Sequence, residues 1–511
     1  MGLPIPSDDS RYNAGDALVE RAAERGSASL LRCESRECDG QELAARALAL
    51  QGALADRGLR SGERVLLALR DTPGFYAAFL GAMRGGFIPI PVSTLLPPKD
   101  LAFIARDADV RAVLLDAALP EAARDPSLYP PDAPILGVEG WDIEGAEPGD
   151  AADPAAAATR AGDPAFWLYT SGTTGEPKGV IHRHVDLPVT AECFGRRILG
   201  IGAADLILSA PKLFFAFGLG NALTFPLFLG ARAVLYPERP TPGAMFELLQ
   251  TEEPTLFFGV PTLYAAMLAH PELPESLPSV RLCISAGEAL APALHERWGE
   301  RFGIEIIDAL GTTEMLHGFV SNRPGKVCPG SSGMPVPGYE LRIVDEAGAD
   351  VGKDEVGTLL VRGPSAARMY HNRPEQTART MLADGWLRTG DSYRRDREGF
   401  YYHMGRSDDL IKVSGQYVSP VEVEAALAAH SDVVETAVVA EADEYGLLTP
   451  KAYVVLTSGA RPGDALASEL QSFVKARIAP HKYPRSIEFV DALPKTTTGK
   501  IQRFLLRKEP A

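Results

Sequence analysis

A chain of 511 residues is too long for a single hydrophobic core, so about two to four structural units are expected. With 46% hydrophobic and 23% charged residues, its composition is that of a globular protein, not a disordered or fibrous one. A net charge of -16 argues against general binding to nucleic acid or anionic membranes, and five cysteines without a CxxC pair or a His-rich partner argue against a disulfide framework or a zinc site.

The start, MGLPIPSDDS, lacks the basic and apolar regions of a secretory signal, and Pro6 stands where a myristoylation site needs Ser or Thr. With the cysteine usage, this points to a reducing, cytoplasmic setting. Up to about residue 130, helix-like patterns (41–58, 76–85, 99–107) alternate with β-rich runs (63–69, 112–116), which reads as α/β with a largely parallel sheet. The Ala/Pro/Gly-rich stretch 150–164 reads as a surface connection, after which the α/β pattern resumes with strands expected at 166–170, 255–260 and 281–286. The uncharged run 213–230, LFFAFGLGNALTFPLFLG, imitates a membrane span, but Gly218, Gly220, Asn221 and Pro226 interrupt it. A buried helix followed by a strand at 233–236 is expected instead. Between about 340 and 404, β-rich pieces separated by Gly and Asp suggest antiparallel β. Beyond 405–412, GRSDDLIK, the pattern of helix (420–430), strands and a further helix suggests a small α+β domain of about 100 residues. Within 475–508, nine Lys or Arg face only Glu488 and Asp491, a net of +7 in an otherwise acidic chain. Such a run is either a solvated face or a module that meets a small polyanion.

The segment most suggestive of chemistry is YTSGTTGEPKG, 169–179, directly after the apolar run FWL. Gly172, Gly175 and Gly179 give backbone freedom, Thr170, Ser171, Thr173 and Thr174 give hydroxyls, and Lys178 gives a cation. Backbone N–H groups of such a loop can cradle phosphate oxygens. The spacing is not that of a Walker A loop.

This segment resembles the signature phosphate loop of the acyl-adenylate-forming enzymes, which comprise acyl- and aryl-CoA synthetases, adenylation domains and luciferases. Further motifs of that superfamily follow in order: GTTEM (311–315), WLRTGD (386–391), GRSDDLIKVSGQYVSPVEVE (405–424) and PKTTTGK (494–500). The resemblance implies a large N-terminal domain, 1–406, of α/β subdomains plus a β-rich subdomain, and a small mobile α+β C-terminal domain, 407–511. It implies ATP, Mg2+ and coenzyme A as cofactor and co-substrates. Thr170, Ser171, Gly172, Thr173, Thr174 and Lys178 then face the phosphates. Gly287 and Glu288, with Asp308, Ala309 and Leu310, then form the adenine wall, with Leu310 where many relatives carry an aromatic, and Gly311, Thr312 and Thr313 also bind the nucleotide. Asp391, with Arg406, meets the ribose. Glu314 holds the metal, and Lys500, Glu314 and Thr313 are catalytic. Asp408 is the hinge on which the small domain turns between an adenylating and a thioester-forming pose, and Gly415 faces the coenzyme A tunnel.

The strings PKLFFAFGLGN (211–221), FFGVPTLYA (257–265) and GTTEMLHGFVSN (311–322) are similar to those of the benzoate–CoA ligase branch. By position, Phe215, Ala216, Phe217, Gly218, Ala309, Gly311, Leu316, His317 and Gly318 surround the ring of an aryl carboxylate. Benzoate ligases generally show Tyr and a bulky aliphatic where this chain has Phe217 and Gly318. Gly318 is therefore expected to open space beside the ring, favouring a substituted benzoate such as 2-aminobenzoate, with hydroxybenzoate or benzoate as further candidates. His317 is expected either to hydrogen-bond the ring substituent or carboxylate, or to be a plain loop histidine. Phe214 and Phe215 stand where amino-acid-activating domains place an Asp, which disfavours an α-amino acid. No carrier domain follows, so free coenzyme A is the expected acceptor, the alternative being a stand-alone adenylation enzyme that loads a carrier protein. Retention of Lys178, Glu314, Asp391, Arg406 and Lys500 together disfavours an inactive nucleotide-binding regulator.

Overall fold

Strands that are apolar along their whole length must be covered on both faces, and the centre of this molecule is built from such strands. The computed structural model describes residues 2–149, 154–171, 176–406, 411–413, 416–442, 448–479, 482–495 and 501–506. Its largest sheet has nine strands. Leu282–Ala286, Leu256–Gly259, Leu206–Ser209 and Arg232–Leu235 lie in its interior and run parallel, and Ile306–Gly311 continues that direction beside Leu282–Ala286. All residues of LFFG and LCISA in the second and first of these are buried. Gly318–Ser321 and Met334–Pro335 add antiparallel strands on one side. On the other side, Ser29–Cys33 pairs parallel with Arg232–Leu235, and the edge strand Arg36–Asp39 carries exposed Arg36 and Glu37. Charges on an edge protect it from pairing with another chain. Ser29–Cys33 and Arg36–Asp39 thus join a sheet whose other strands lie some 170 to 300 residues later, not the sheet that the strands following them build.

That second sheet has five strands, Ile88–Pro91, Arg64–Ala68, Val110–Asp116, Ile135–Glu139 and Asp142–Ile143, of which the first four are parallel. The helix Pro73–Arg84 is buried at every residue, Arg84 included. That charge is tolerated because Arg84 Nε meets Asp16 Oδ1 at 2.8 Å and Nη1 meets Gln51 Oε1 at 2.7 Å. Asn13 caps the helix Ala14–Glu24 and at the same time donates through Nδ2 to the Met83 and Arg84 carbonyls, which end the buried helix.

The expected strand at 166–170 exists, as Pro164–Ser171, but it does not enter a parallel sheet: it forms an antiparallel hairpin with Pro177–Arg183. The described residues on either side of 172–175 are therefore both in strands, with no helix directly after the first. The run 213–230 is divided into Ala216–Leu219, a π-helical turn at Gly220–Thr224, and Phe225–Leu229, ended by Gly230 in the left-handed region at φ 81°. Among the described residues, no helix is long and apolar enough to cross a membrane. Glu340–Val344, Val356–Arg362, Leu387–Arg395 and Tyr401–Arg406 form the anticipated antiparallel sheet. Beyond it, Val433–Ala442, Leu448–Leu456 and Ser486–Phe489 form a three-stranded sheet whose core also holds the helices Pro420–Ala428 and Asp464–Lys475. Large α/β and small α+β parts are present as expected.

Candidate active site

The period-two alternation of Pro177–Arg183 puts Lys178, Val180 and His182 on one face of the hairpin. This face looks at the turn 311–316. Lys178 Nζ lies 3.6 Å from Glu314 Oε1. Burial lowers the pKa of the Lys178 ammonium, and Glu314 opposes that shift. His182 is fully buried, with Nε2 at 2.8 Å from the Thr313 carbonyl and Nδ1 at 3.1 Å from Asp186 Oδ2. A carbonyl can only accept, so Nε2 carries a proton and donates it. Asp186, also fully buried, takes two further bonds from the Arg183 guanidinium at 2.7 and 3.0 Å. Tyr370, 3% exposed, donates its hydroxyl to Glu314 Oε1 at 2.6 Å, while its ring lies under Lys178 Nζ, 3.8 Å from the centroid. Burial and the Glu314 charge push the phenol pKa far up, so the proton stays on Tyr370 and Glu314 is the acceptor.

The turn that carries Glu314 is strained. Leu316 sits at φ 65° and is buried, and the His317 N–H reaches the Met315 carbonyl at 2.8 Å, which closes a tight γ-turn. Thr313–Met315 forms a single 3-10 turn before it.

Asp308 and Ala309 are buried in the strand Ile306–Gly311, next to Ser285 and Ala286 of the neighbouring strand. Burial pushes the Asp308 carboxyl well above its usual range, although the N–H groups of Ala309 and Leu290 oppose this. Among the described residues Asp308 Oδ1 and Thr312 Oγ1 are buried without a hydrogen-bond partner. Such groups cost free energy until a ligand supplies partners, which fits a nucleotide. Gly287 turns the chain at φ 93°, next to half-buried Glu288. Leu310, Gly311 and Thr312 are half-buried. Asp391 and Arg406 are cross-strand partners, with Nη1 at 3.0 Å from Oδ1. Burial raises the Asp391 carboxyl, but His403 and Arg406 outweigh it and hold the group below the usual carboxylate range. Gly390 sits at φ 75°, a left-handed conformation that favours glycine at this turn beside Asp391.

The aromatic wall forms around His317. Its ring packs against Phe194, Phe217 and Phe225 at centroid distances of 4.7, 5.4 and 4.6 Å, and Nε2 meets Asn221 Oδ1 at 3.1 Å. Burial drives its pKa down to about 3, so the ring is neutral. It is not the plain loop histidine of one expectation. Phe217 also meets Phe258, whereas Phe215 pairs edge-on with Phe214. Gly218 and Gly311 are close-approach glycines: added Cβ atoms would lie 2.0 Å from the Lys212 carbonyl oxygen and 2.8 Å from the His317 carbonyl oxygen. Phe215, Ala216 and Phe217 are half-buried, and Leu316 and Gly318 are buried. The expectation that Gly318 opens space for a ring substituent is corrected. A Cβ at 318 would lie 2.7 Å from the Phe194 ring, which already occupies that volume.

Gly172, Thr173, Thr174, Asp408, Gly415 and Lys500 lie outside the described residues, and Ser171 and Thr170 are seen ending the first hairpin strand. Among the described residues no cluster of three or more His, Cys, Asp or Glu could hold a metal. A single carboxylate at Glu314 fits a hard cation that arrives with nucleotide phosphates and keeps most of its own water, as Mg2+ does. Sequence reasoning missed Tyr370, His182, Asp186, Phe194, Asn221 and His403. The alternation from Lys178 through Val180 was a usable signal for His182. For Tyr370 and Phe194 no local signal exists, since their partners are distant in sequence.

A half-buried carboxylate–lysine pair, a cross-strand Asp–Arg pair and an aromatic wall agree with a nucleotide-dependent carboxylate-activating enzyme. The chain belongs to the AMP-binding enzyme family: residues 18–371 match that family and 422–500 match the AMP-binding enzyme C-terminal domain. It is 48% identical over 508 residues to a benzoate–CoA ligase of Thauera aromatica, covering 97% of this chain and 96% of that protein. Its structure is similar to that of a benzoate CoA ligase from Burkholderia xenovorans LB400, with a TM-score of 0.91, 46% identity and coverage of 97% of this chain and 100% of that one. An anthranilate CoA ligase in complex with anthranoyl-AMP also gives a TM-score of 0.91, at 37% identity, covering 99% and 97% of the two chains.

Proposed function

We propose that this protein is an AMP-forming aryl-CoA ligase acting on a benzoate-type acid. A carboxylate oxygen of the acid attacks the α-phosphorus of ATP, pyrophosphate leaves, and an aroyl-AMP mixed anhydride results. The thiol of coenzyme A then attacks its carbonyl carbon and AMP leaves. In this reading Lys178 and the hydroxyl loop hold the phosphates, Asp391 accepts from the ribose hydroxyls, and Glu314 holds Mg2+, which neutralises phosphate charge when bound. Lys500 stabilises the charge that builds on the α-phosphate, Asp408 is the pivot between the two steps, and Gly415 lets coenzyme A approach. The observation that carries the reading is that one short stretch serves both substrates. Residues 310–318 supply Glu314 to the Lys178 side and His317 to the aromatic wall. An acid seated on that wall is thereby next to the nucleotide phosphates.

With the volume at Gly318 filled by Phe194, benzoate itself stands level with 2-aminobenzoate and the hydroxybenzoates. Pyrophosphate exchange with benzoate, 2-amino-, 3-hydroxy- and 4-hydroxybenzoate, hexanoate and phenylalanine tests this. Exchange confined to ring carboxylates is expected. Exchange with hexanoate or phenylalanine and with none of the benzoates would discard the proposal.

A further inference from the structure

Tyr370 touches both ionic groups of the phosphate site. It lies in a segment, 363–371, that is anchored on two sides by main-chain carbonyls and amides. The Ala367 N–H donates to the Glu314 carbonyl at 2.8 Å, and the Ser365 hydroxyl donates to the Met315 carbonyl at 2.7 Å. Towards the hairpin, the Ile181 N–H donates to the Met369 carbonyl at 3.2 Å and the His371 N–H to the Gly179 carbonyl at 2.8 Å. One segment thus ties the Glu314 turn to the strand that carries Lys178, and Tyr370 sits between its two hairpin bonds, at Met369 and His371.

The side chain does two things there. Its hydroxyl is bonded to Glu314 Oε1 at 2.6 Å, and its ring face carries the Lys178 ammonium at 3.8 Å. Lys178 stands 3.6 Å from the same oxygen, against roughly 2.7–2.9 Å for a closed charge-assisted bond. The ammonium is held by the ring's negative face, and Oε1 is already occupied by the phenol. Among the described residues Glu314 Oε2 has no hydrogen bond. Without the phenol, the carboxylate would lose the bond that fixes Oε1 and would be free to rotate, so the oxygen offered to the cation would no longer be held in place, while the ring would still hold Lys178.

We propose that Tyr370 is a positioning residue for nucleotide–metal binding: its hydroxyl fixes Glu314 through Oε1 so that the other oxygen meets the cation, and its ring keeps Lys178 available for phosphate. The inference rests on the reading of Glu314 as the cation's carboxylate. Tyr370→Phe tests it, since the variant keeps the ring and removes only the hydroxyl. ATP binding to the full chain is measured by calorimetry without any acid substrate, once with Mg2+ and once with EDTA. Tyr370→Phe is expected to lose about tenfold or more of the affinity gained from Mg2+, the scale of one hydrogen bond to a charged group, while ATP binding in EDTA changes less than about twofold. The Mg2+ concentration for half-maximal pyrophosphate exchange should rise to a similar extent. Thioester formation from supplied benzoyl-AMP, which needs neither ATP nor metal, should persist and so report a folded site. Equal loss of that step and of ATP binding in EDTA would overturn the proposal, because it would mark a general structural role. Glu314→Gln separates the two readings. If it leaves the Mg2+ dependence unchanged, the assignment of Glu314 falls. If it shifts the dependence and Tyr370→Phe does not, or if Tyr370→Phe adds its full effect in the Glu314→Gln background, the inference about Tyr370 is overturned.

Discussion

Gly318 and Phe194 form a complementary pair: the glycine has no side chain because the phenylalanine ring lies 2.7 Å from where its Cβ would be. Inserting a branched aliphatic there is overpacking, which costs about 1–3 kcal/mol. Gly318→Ile is therefore expected to lower the melting temperature, and to reduce kcat/KM for benzoate and 2-aminobenzoate together by displacing Phe194 and, through it, His317. Phe194→Leu in the same chain should recover part of the stability. A loss confined to substituted benzoates, with stability intact, would show instead that position 318 faces the bound ring. The absence of a side chain at 318 was legible in the sequence, but its filler was not, because Phe194 comes from the π-helical turn Ala191–Arg196 far earlier in the chain. The opposite holds at Asp391. Its partner Arg406 was readable by resemblance, and the antiparallel register places the two directly across from each other.

At the level of elements, the helices expected at 41–58, 76–85 and 99–107 are found as Gly40–Asp56, Pro73–Arg84 and Pro98–Asp107. Apolar content and length decide these, and both are local properties. The hairpin Pro164–Ser171 with Pro177–Arg183 was half legible. Its apolar first strand was evident, whereas its antiparallel pairing depends on a return strand that carries Lys178 and His182. The consequence of that return strand is the buried chain from Asp186 through His182 to the Thr313 carbonyl. His182→Leu keeps the bulk and removes the donor, which leaves a buried carbonyl unpaired at a cost of about 1–3 kcal/mol. Urea unfolding should show that loss, and because Thr313 adjoins Glu314, pyrophosphate exchange should fall about tenfold. Unchanged exchange in a destabilised His182→Leu protein would mean that the contact supports the fold alone.

Across the whole molecule, acid sensitivity follows from a further buried imidazole. His184 Nδ1 accepts the Ala14 N–H at 3.1 Å, joining the hairpin to the first helix, and burial pushes its pKa down to about 4 from an ordinary 6.5. The unfolded chain then binds a proton that the folded one refuses. Stability present above pH 6.5 is lost as pH falls towards 4, by roughly 1.4 kcal/mol per unit. Urea melts at pH 7.5, 6 and 5 should show this. His184→Gln should be less stable at pH 7.5, yet lose less between 7.5 and 5. Division of labour between the parts gives a further test. Lys500→Ala should cost adenylation roughly 100- to 1000-fold, the scale of one lost electrostatic group, while thioester formation from supplied benzoyl-AMP continues. Equal loss of both steps would remove Lys500 from the phosphoryl step. The two-part plan and the order of motifs were legible because each motif is contiguous. The joining of Ser29–Cys33 to Arg232–Leu235 was not, since nothing in five apolar-rich residues names a partner some 200 positions away. That pairing bears on how the protein is made. During synthesis the apolar segment SLLRC leaves the ribosome early and waits for Arg232–Leu235 to emerge, about 10 to 40 seconds later at ordinary elongation rates. Through that interval its edge opposite Arg36–Asp39 is unpaired, and the nascent chain depends on shielding there until the central sheet can close.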